Sequence, residues 1–324
     1  MSKYETMLYR RCGRSGLKLP LISLGAWETF GGYRGPEVSR ECIVGAFDLG
    51  ITHFDFANNY GVPPGNAEIV CGKVIADLPR DELIVSSKAG YVMWPGPYGD
   101  WGSKKSLIAS CDQSLKRTGL DYFDIFYSHR FDPETPLEET MEALDHLVRQ
   151  GKTLYAGISN YSGAATVEAQ KIMEGRGYTR LTIHQPRYNL LQRTIEKDLV
   201  KAASRQGIGI IPFCPLASGL LTDKYLFGDL PAESRAREKW GEAWINNNLT
   251  EDRLVGLRAL NDLAHKRGQS LAQMALAWVL RLPEVTSALI GASSLTQIKE
   301  NVQALSNLDF DEEELTKIDS LFPA

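Results

Sequence analysis

The sequence predicts an α/β chain whose strands close into a (β/α)8 barrel, the TIM-barrel class, with an N-terminal β-hairpin and a long loop after the seventh barrel strand. Three observations predict it. From residue 21 onward, β-branched or aromatic runs alternate with amphipathic stretches of about ten to fifteen residues, the pattern of βα units around a parallel sheet. There are eight such runs. A length of 324 residues suits one large barrel or two ordinary domains.

The hairpin comes first, where 8–10 and 17–19 flank Gly13-Arg14-Ser15-Gly16, a turn that would let the pair plug the barrel bottom. Barrel strands follow at 21–25, 53–57, 83–88, 122–129, 153–159, 182–185, 209–213 and 286–290. Apolar residues three or four apart mark the helices between them: Leu107, Ile108, Cys111 and Leu115, then Met141, Leu144 and Leu147, and later Ile298, Val302 and Leu305. Gly50, Gly119, Gly151 and Gly207 stand where a left-handed C-cap is wanted, and Ser162 and Ser294 where an N-cap is wanted. The 220–248 connection is charged, aromatic and too long for a routine loop, so it is expected to be functional. A doubly wound dinucleotide fold with a second domain would need G-x-G-x-x-G after an early strand. That fingerprint is absent, and 1–324 is expected to form a single domain.

Composition narrows the function. Hydrophobic residues at 43%, charged residues at 23% and a mean hydropathy of -0.22 allow a sizeable core and exclude a disordered chain. Thirty-six basic against forty acidic residues give a net charge of -4, without the basic footprint of a nucleic-acid binder. The first eleven residues lack an apolar core, and no stretch approaches the roughly 18 apolar residues of a membrane span. A cytoplasmic chain with no nucleic-acid or membrane partner is expected. Its five cysteines are scattered with no C-x-x-C pair, and its five histidines form no H-E-x-x-H, so no metal site is expected.

Catalytic groups in such a barrel come from the C-terminal ends of several strands. Three consecutive strands end on Asp55, Lys88 and His129. Alone, Asp55 could cap a turn, Lys88 could snorkel and His129 could satisfy backbone groups. Together they form a site in which Asp55 holds Lys88 charged and that charge depresses the pKa of a nearby weak acid. Tyr60, five residues after Asp55, is that acid, a phenol needing help to give up a proton near neutrality. His53, two residues before Asp55, faces the same side of its strand and is read as barrel packing.

The set Asp55, Tyr60, Lys88 and His129 resembles the catalytic tetrad of the aldo-keto reductase superfamily, and the likeness covers essentially the whole chain. Further motifs carry it in order: Asp55-x4-Tyr60-Gly61 with Ala67-Glu68, Gly157-Ile158-Ser159-Asn160, Gln185-Pro186-x-Tyr188-Asn189, Pro215-Leu216-Ala217-Ser218-Gly219-Leu220, and Gly291-Ala292-Ser293 with Gln297, Glu300 and Asn301. Within the superfamily it is most similar to the branch of bacterial L-glyceraldehyde 3-phosphate reductases and potassium-channel beta subunits. The segments 48–55, 93–99, 112–117 and 267–270 point there.

The resemblance implies NADPH-dependent carbonyl reduction, with Tyr60 as proton donor, His129 bonded to the carbonyl oxygen, Lys88 acidifying the phenol and Asp55 fixing Lys88. For the dinucleotide it implies Ser159, Asn160 and Gln185 on the carboxamide, Phe213 stacked on the nicotinamide, Pro215, Leu216, Ala217, Ser218, Gly219 and Leu220 along the pyrophosphate, and Trp27, Asp55 and Cys214 as further cofactor contacts. Ser293, Gln297, Glu300 and Asn301 would hold the adenosine end, with Gly291 a further cofactor contact. Lys224 and Arg235 supply the cations that a 2'-phosphate wants, which favours NADP(H) over NAD. Trp27, Tyr60, Trp94, His129 and Arg130 would frame the substrate, with Arg130 placed to meet a phosphate. The short segment after 310–315 implies an open pocket for short aldehydes such as glyceraldehyde, its 3-phosphate or methylglyoxal. Two other readings stand beside this one: an NADP-binding regulatory subunit, and a sugar-phosphate isomerase or aldolase using Lys88 as a Schiff base. Relatives range from monomers to rings, so a homo-oligomer is compatible with the resemblance.

Overall fold

The computed structural model describes residues 2–227 and 241–324. Its first strands, β1 (Tyr9–Arg11) and β2 (Lys18–Pro20), pair antiparallel with Tyr9 opposite Pro20. The barrel strands are β3 (Ile22–Gly25), β4 (His53–Asp55), β5 (Ile84–Ala89), β6 (Phe123–Ser128), β7 (Thr153–Ser159), β8 (Leu181–Gln185), β9 (Gly209–Ile210) and β10 (Ala288–Ile290). All pair parallel in the order β10-β3-β4-β5-β6-β7-β8-β9. The ends then meet: Thr286 N donates to Ile210 O at 2.7 Å, Leu289 N donates to Pro212 O at 3.0 Å, and Phe213 bridges to Leu289. The sheet therefore closes, which removes the exposed edges of an open one.

All eight expected strands are present, five of them shorter than expected. The 209–213 run is regular only over Gly209–Ile210 because Pro212 has no N–H to give the ladder. Ile211 N and Phe213 N nevertheless donate to His184 O and Pro186 O at 3.0 and 2.9 Å, so the chain stays on course to Phe213. The predicted caps are also found. Ser162 and Ser294 accept from Ala165 N and Gln297 N to start the helices Gly163–Gly175 and Leu295–Val302. Gly119 and Gly207, at φ 72° and 69°, end the helices Lys104–Thr118 and Leu199–Gln206.

The hairpin plugs the N-terminal end of the barrel, as expected. Cys12, Leu17 and Leu19 are buried inside it against Ile125, Tyr127, Ile183, Ile211 and Leu289. Gly13 permits that seat: its φ is 51°, and a Cβ there would sit 2.1 Å from Gly207 O. Part of the long connection folds back as Gly241–Asn248, a helix that the loop composition did not reveal, whose Trp244 and Ile245 pack with Leu220 and Tyr225.

Barrel interiors are filled by alternate residues of each strand, and here the filling is lopsided. The inner positions of β3, β4 and β5 carry Ser23, His53, Asp55, Ser86 and Lys88, all buried, while Ile125 and Tyr127 of β6, Ile183 of β8, Ile211 and Leu289 make an apolar cluster with the hairpin. A polar half facing a greasy half decides where chemistry sits. No helix among the described residues is long and apolar enough to cross a membrane.

Candidate active site

Two-residue periodicity aims Asp55 of β4 and Lys88 of β5 into the barrel from adjacent strands. Lys88 Nζ donates to Asp55 Oδ2 and to Phe56 O, each at 2.5 Å, and the ammonium is fully buried. Asp55 Oδ1 accepts from Ser86 Oγ at 2.6 Å and Gln185 Nε2 at 3.2 Å, so both carboxylate oxygens are engaged. Burial pushes the Lys88 ammonium below its usual range, and Asp55 pulls it back. Tyr60 follows in the turn after β4, its ring centroid 4.9 Å from Lys88 Nζ and 5.9 Å from that of His129. The four expected residues therefore converge.

One expectation fails. Tyr60 is not acidified: burial, then the charge of Asp55, then Cys214 and Tyr91 push its phenol well above the ordinary range. The main physical reason is burial, which Lys88 does not offset. Its ammonium is bonded to Asp55 and the Phe56 carbonyl, so its field at the phenol is largely cancelled by the carboxylate.

His129 is held neutral, its pKa pushed well down by burial, Lys88 and Arg130. Its buried Nδ1 has no partner, whereas Asn160 Nδ2 donates to its carbonyl at 3.1 Å and Tyr91 lies edge-on at 4.7 Å. A buried N–H without an acceptor is costlier than a bare ring nitrogen. The proton therefore belongs on Nε2.

A cavity of about 580 Å3 opens over these groups. Asp55, Tyr60, His129, Trp27, Asn160, Gln185 and Phe213 line it, as do Cys214, Pro215, Leu216, Ser218, Gly219, Lys224, Gly291, Gln297, Glu300 and Asn301. Lys88, Ser159, Ala217, Leu220 and Ser293 are not in this lining. Ser159 Oγ donates to Gln185 O at 2.7 Å and accepts from Asn160 Nδ2 at 3.1 Å, and Ser293 N and Oγ hold Gln297 Oε1 at 3.0 and 3.2 Å. These serines aim the lining amides. Arg235 lies outside the described residues.

Two substrate expectations are corrected. Arg130 is not in the lining: its guanidinium donates to Gly90 O at 2.7 Å, pairs with Asp100 at 2.6 Å, and stacks against Tyr91 and Trp101 at 4.4 and 3.5 Å. It clamps the 91–101 loop, and the clamp consumes the charge. Trp94 is likewise outside the lining, because the loop turns back through a Met93 N to Gly99 O bond of 2.8 Å. Tyr91 and Arg187 do line the cavity and were missed, although each lies two residues past a strand end, where such groups are to be sought.

The model of the Aldo/keto reductase family matches residues 21–322. The chain belongs to the aldo/keto reductase family. It is 53% identical over 323 residues, 98% of this chain and 93% of the relative, to the L-glyceraldehyde 3-phosphate reductase of Escherichia coli strain K12. It is 36% identical over 304 residues, 92% of this chain and 91% of the relative, to a probable voltage-gated potassium channel subunit beta of Oryza sativa subsp. japonica. This aldo/keto reductase is an oxidoreductase acting on carbonyl or alcohol groups, of a family that generally uses NAD(P)H.

The lining of this aldo/keto reductase fits such a dinucleotide. Phe213 offers a flat apolar face, Asn160 and Gln185 offer amides, and buried Asn59 Oδ1 has no protein partner. Asn160, Cys214, Ala217 and Ser218 are four of the six non-glycine residues with positive φ among those described, so backbone strain concentrates at this mouth. Ala217, Ser218 and Gly219 are consecutively left-handed, and the N–H groups of Ala217 and Gly219 are tied to the Cys214 and Leu216 carbonyls within this tight turn.

Proposed function

We propose that this protein is an NADPH-dependent reductase of short aldehydes, of the class of L-glyceraldehyde 3-phosphate, glyceraldehyde and methylglyoxal, working in the cytoplasm. The observation that carries it is the meeting of Tyr60, His129 and the Lys88–Asp55 pair at one wall of a cavity that also presents Phe213, Asn160 and Gln185. The name of the 53% identical relative supports the substrate class. Five cysteines, none of them in a disulfide, fit a reducing compartment.

The bound dinucleotide supplies the hydride. The chain's own residues manage charge and proton. Tyr60, kept protonated by its buried surroundings, donates its hydroxyl proton to the carbonyl oxygen as negative charge builds there. His129 gives that oxygen a second hydrogen bond from Nε2 and fixes the side from which the aldehyde enters. Lys88 acts late: the phenolate left behind is stabilised by an ammonium 4.9 Å from the ring, itself kept charged by Asp55. Lys224, in the lining, and Arg235 give the site its preference for a 2'-phosphate. These four side chains in one place favour turnover over a purely regulatory role and over Schiff-base chemistry, because Lys88 is spent on Asp55.

Oxidation of NADPH, with NADH alongside, across a panel of short aldehydes, ketones and sugar phosphates tests the reading. Tyr60→Phe should bind NADPH nearly as the parent does while reduction collapses. Full reduction by Tyr60→Phe would overturn the assignment.

A further inference from the structure

A chain of buried hydrogen bonds runs around the polar half of the barrel and ends on Asp55. Ser287 and Ser23 hydroxyls lie 2.6 Å apart, Ser23 Oγ is 2.9 Å from His53 Nδ1, His53 Nε2 is 3.0 Å from Ser86 Oγ, and Ser86 Oγ is 2.6 Å from Asp55 Oδ1. All five side chains are buried, and four successive strand positions around the barrel supply them.

The carboxylate sets the direction of every bond. Paired with Lys88, Asp55 can only accept, so the Ser86 proton points to Oδ1. Ser86 must then accept from His53, which places the imidazole proton on Nε2 and leaves Nδ1 as the acceptor for Ser23. Ser23 in turn accepts from Ser287. Each donor is thereby satisfied, and the dipoles all point toward the negative charge. The ring stays neutral in this setting, since burial pushes its pKa down to about 4.

We propose that His53 is a positioning residue for the reduction: through Ser86 it locks the Asp55 carboxylate in the rotamer that holds Lys88 Nζ beneath the Tyr60 ring. Among the described residues, Asp55 Oδ1 is otherwise held only by Gln185 at 3.2 Å, the longer of the two contacts to that oxygen. Without Ser86 the carboxylate can turn about its own bond, carrying the ammonium with it. The barrel core thus serves the mouth above it. The inference rests on the proposed roles of Asp55, Lys88 and Tyr60.

The two ring nitrogens allow a test that packing alone would not satisfy. Glutamine places its amide nitrogen where Nε2 stands and still donates to Ser86, whereas asparagine places its amide where Nδ1 stands and reaches only Ser23. The expected result is a fall in kcat of about 10- to 100-fold in His53→Asn and in Ser86→Ala. His53→Gln should keep a kcat close to that of the parent. The Kd for NADPH and the KM for glyceraldehyde should change little in all three, and His53→Asn with Ser86→Ala should be no worse than either alone. Equal kcat in His53→Asn and His53→Gln, parental kcat in Ser86→Ala, or losses confined to KM would overturn the inference. Ser86→Ala removes one oxygen and leaves the core volume in place, so it decides the matter if a His53 variant does not fold. Tyr60→Phe in the same assay separates the two levels. Its collapse beside a fully active Ser86→Ala sinks the role of His53 alone, and its full activity sinks the proposed mechanism and that role together.

Discussion

Lys88 Nζ and Asp55 Oδ2 meet at 2.5 Å with both side chains essentially excluded from solvent. Such a pair contributes little net stability relative to apolar residues, because desolvation offsets the attraction, but removing one partner strands the other. Asp55→Asn should therefore destabilise the fold by about 3–5 kcal/mol in denaturant unfolding. Lys88 already has a folded pKa below its unfolded one, and losing Asp55 lowers it further. The unfolded chain then binds the extra proton, so the deficit should widen as pH falls from the ordinary lysine range toward neutrality. A deficit independent of pH would refute the buried charge as its cause.

The pH profile of reduction tests the two unpaired titrating groups. An acid with a raised pKa keeps its proton to higher pH, and a base with a lowered pKa stays neutral to lower pH. Tyr60 is pushed up and His129 down. The kcat/KM for reduction should be flat across the neutral range, with no inflection near the ordinary imidazole value of about 6.5 and none from the phenol below about 10. An inflection near neutrality that disappears in Tyr60→Phe would show that Lys88 acidifies the phenol after all.

Dinucleotide preference should follow the cations. Lys224→Ala and Arg235→Ala are each expected to raise the KM for NADPH by about tenfold, the loss of roughly one charge-assisted hydrogen bond. The KM for NADH should move far less. Equal changes for both dinucleotides would remove these residues from phosphate binding.

Arg130 should prove indifferent to a substrate phosphate. Arg130→Ala loosens the 91–101 loop and is expected to lower kcat/KM for glyceraldehyde and for its 3-phosphate in the same ratio, since the guanidinium is committed to Gly90, Asp100 and two rings. A selective loss with the phosphorylated aldehyde would restore the role that the tertiary structure takes from it.

Asp55, Lys88 and His129 were legible in the sequence because a strand's two-residue period and the barrel's rule about strand ends place such groups without knowledge of their neighbours. The hairpin plug, the eight strands and the glycine and serine caps were legible for the same reason, each being a local consequence of backbone geometry. The fate of charge was not. Arg130 looked free until Asp100 and Trp101 were seen around it, and Tyr60 looked acidified until the Asp55 and Phe56 oxygens were seen to hold the ammonium. The hydrogen bond between Ser23 and Ser287 joins residues 264 positions apart. By itself, the sequence determined which residues lie at the mouth of the barrel. Only closure of the barrel decided which of their charges remain available, because solvation and pairing depend on neighbours that the chain delivers from its far ends.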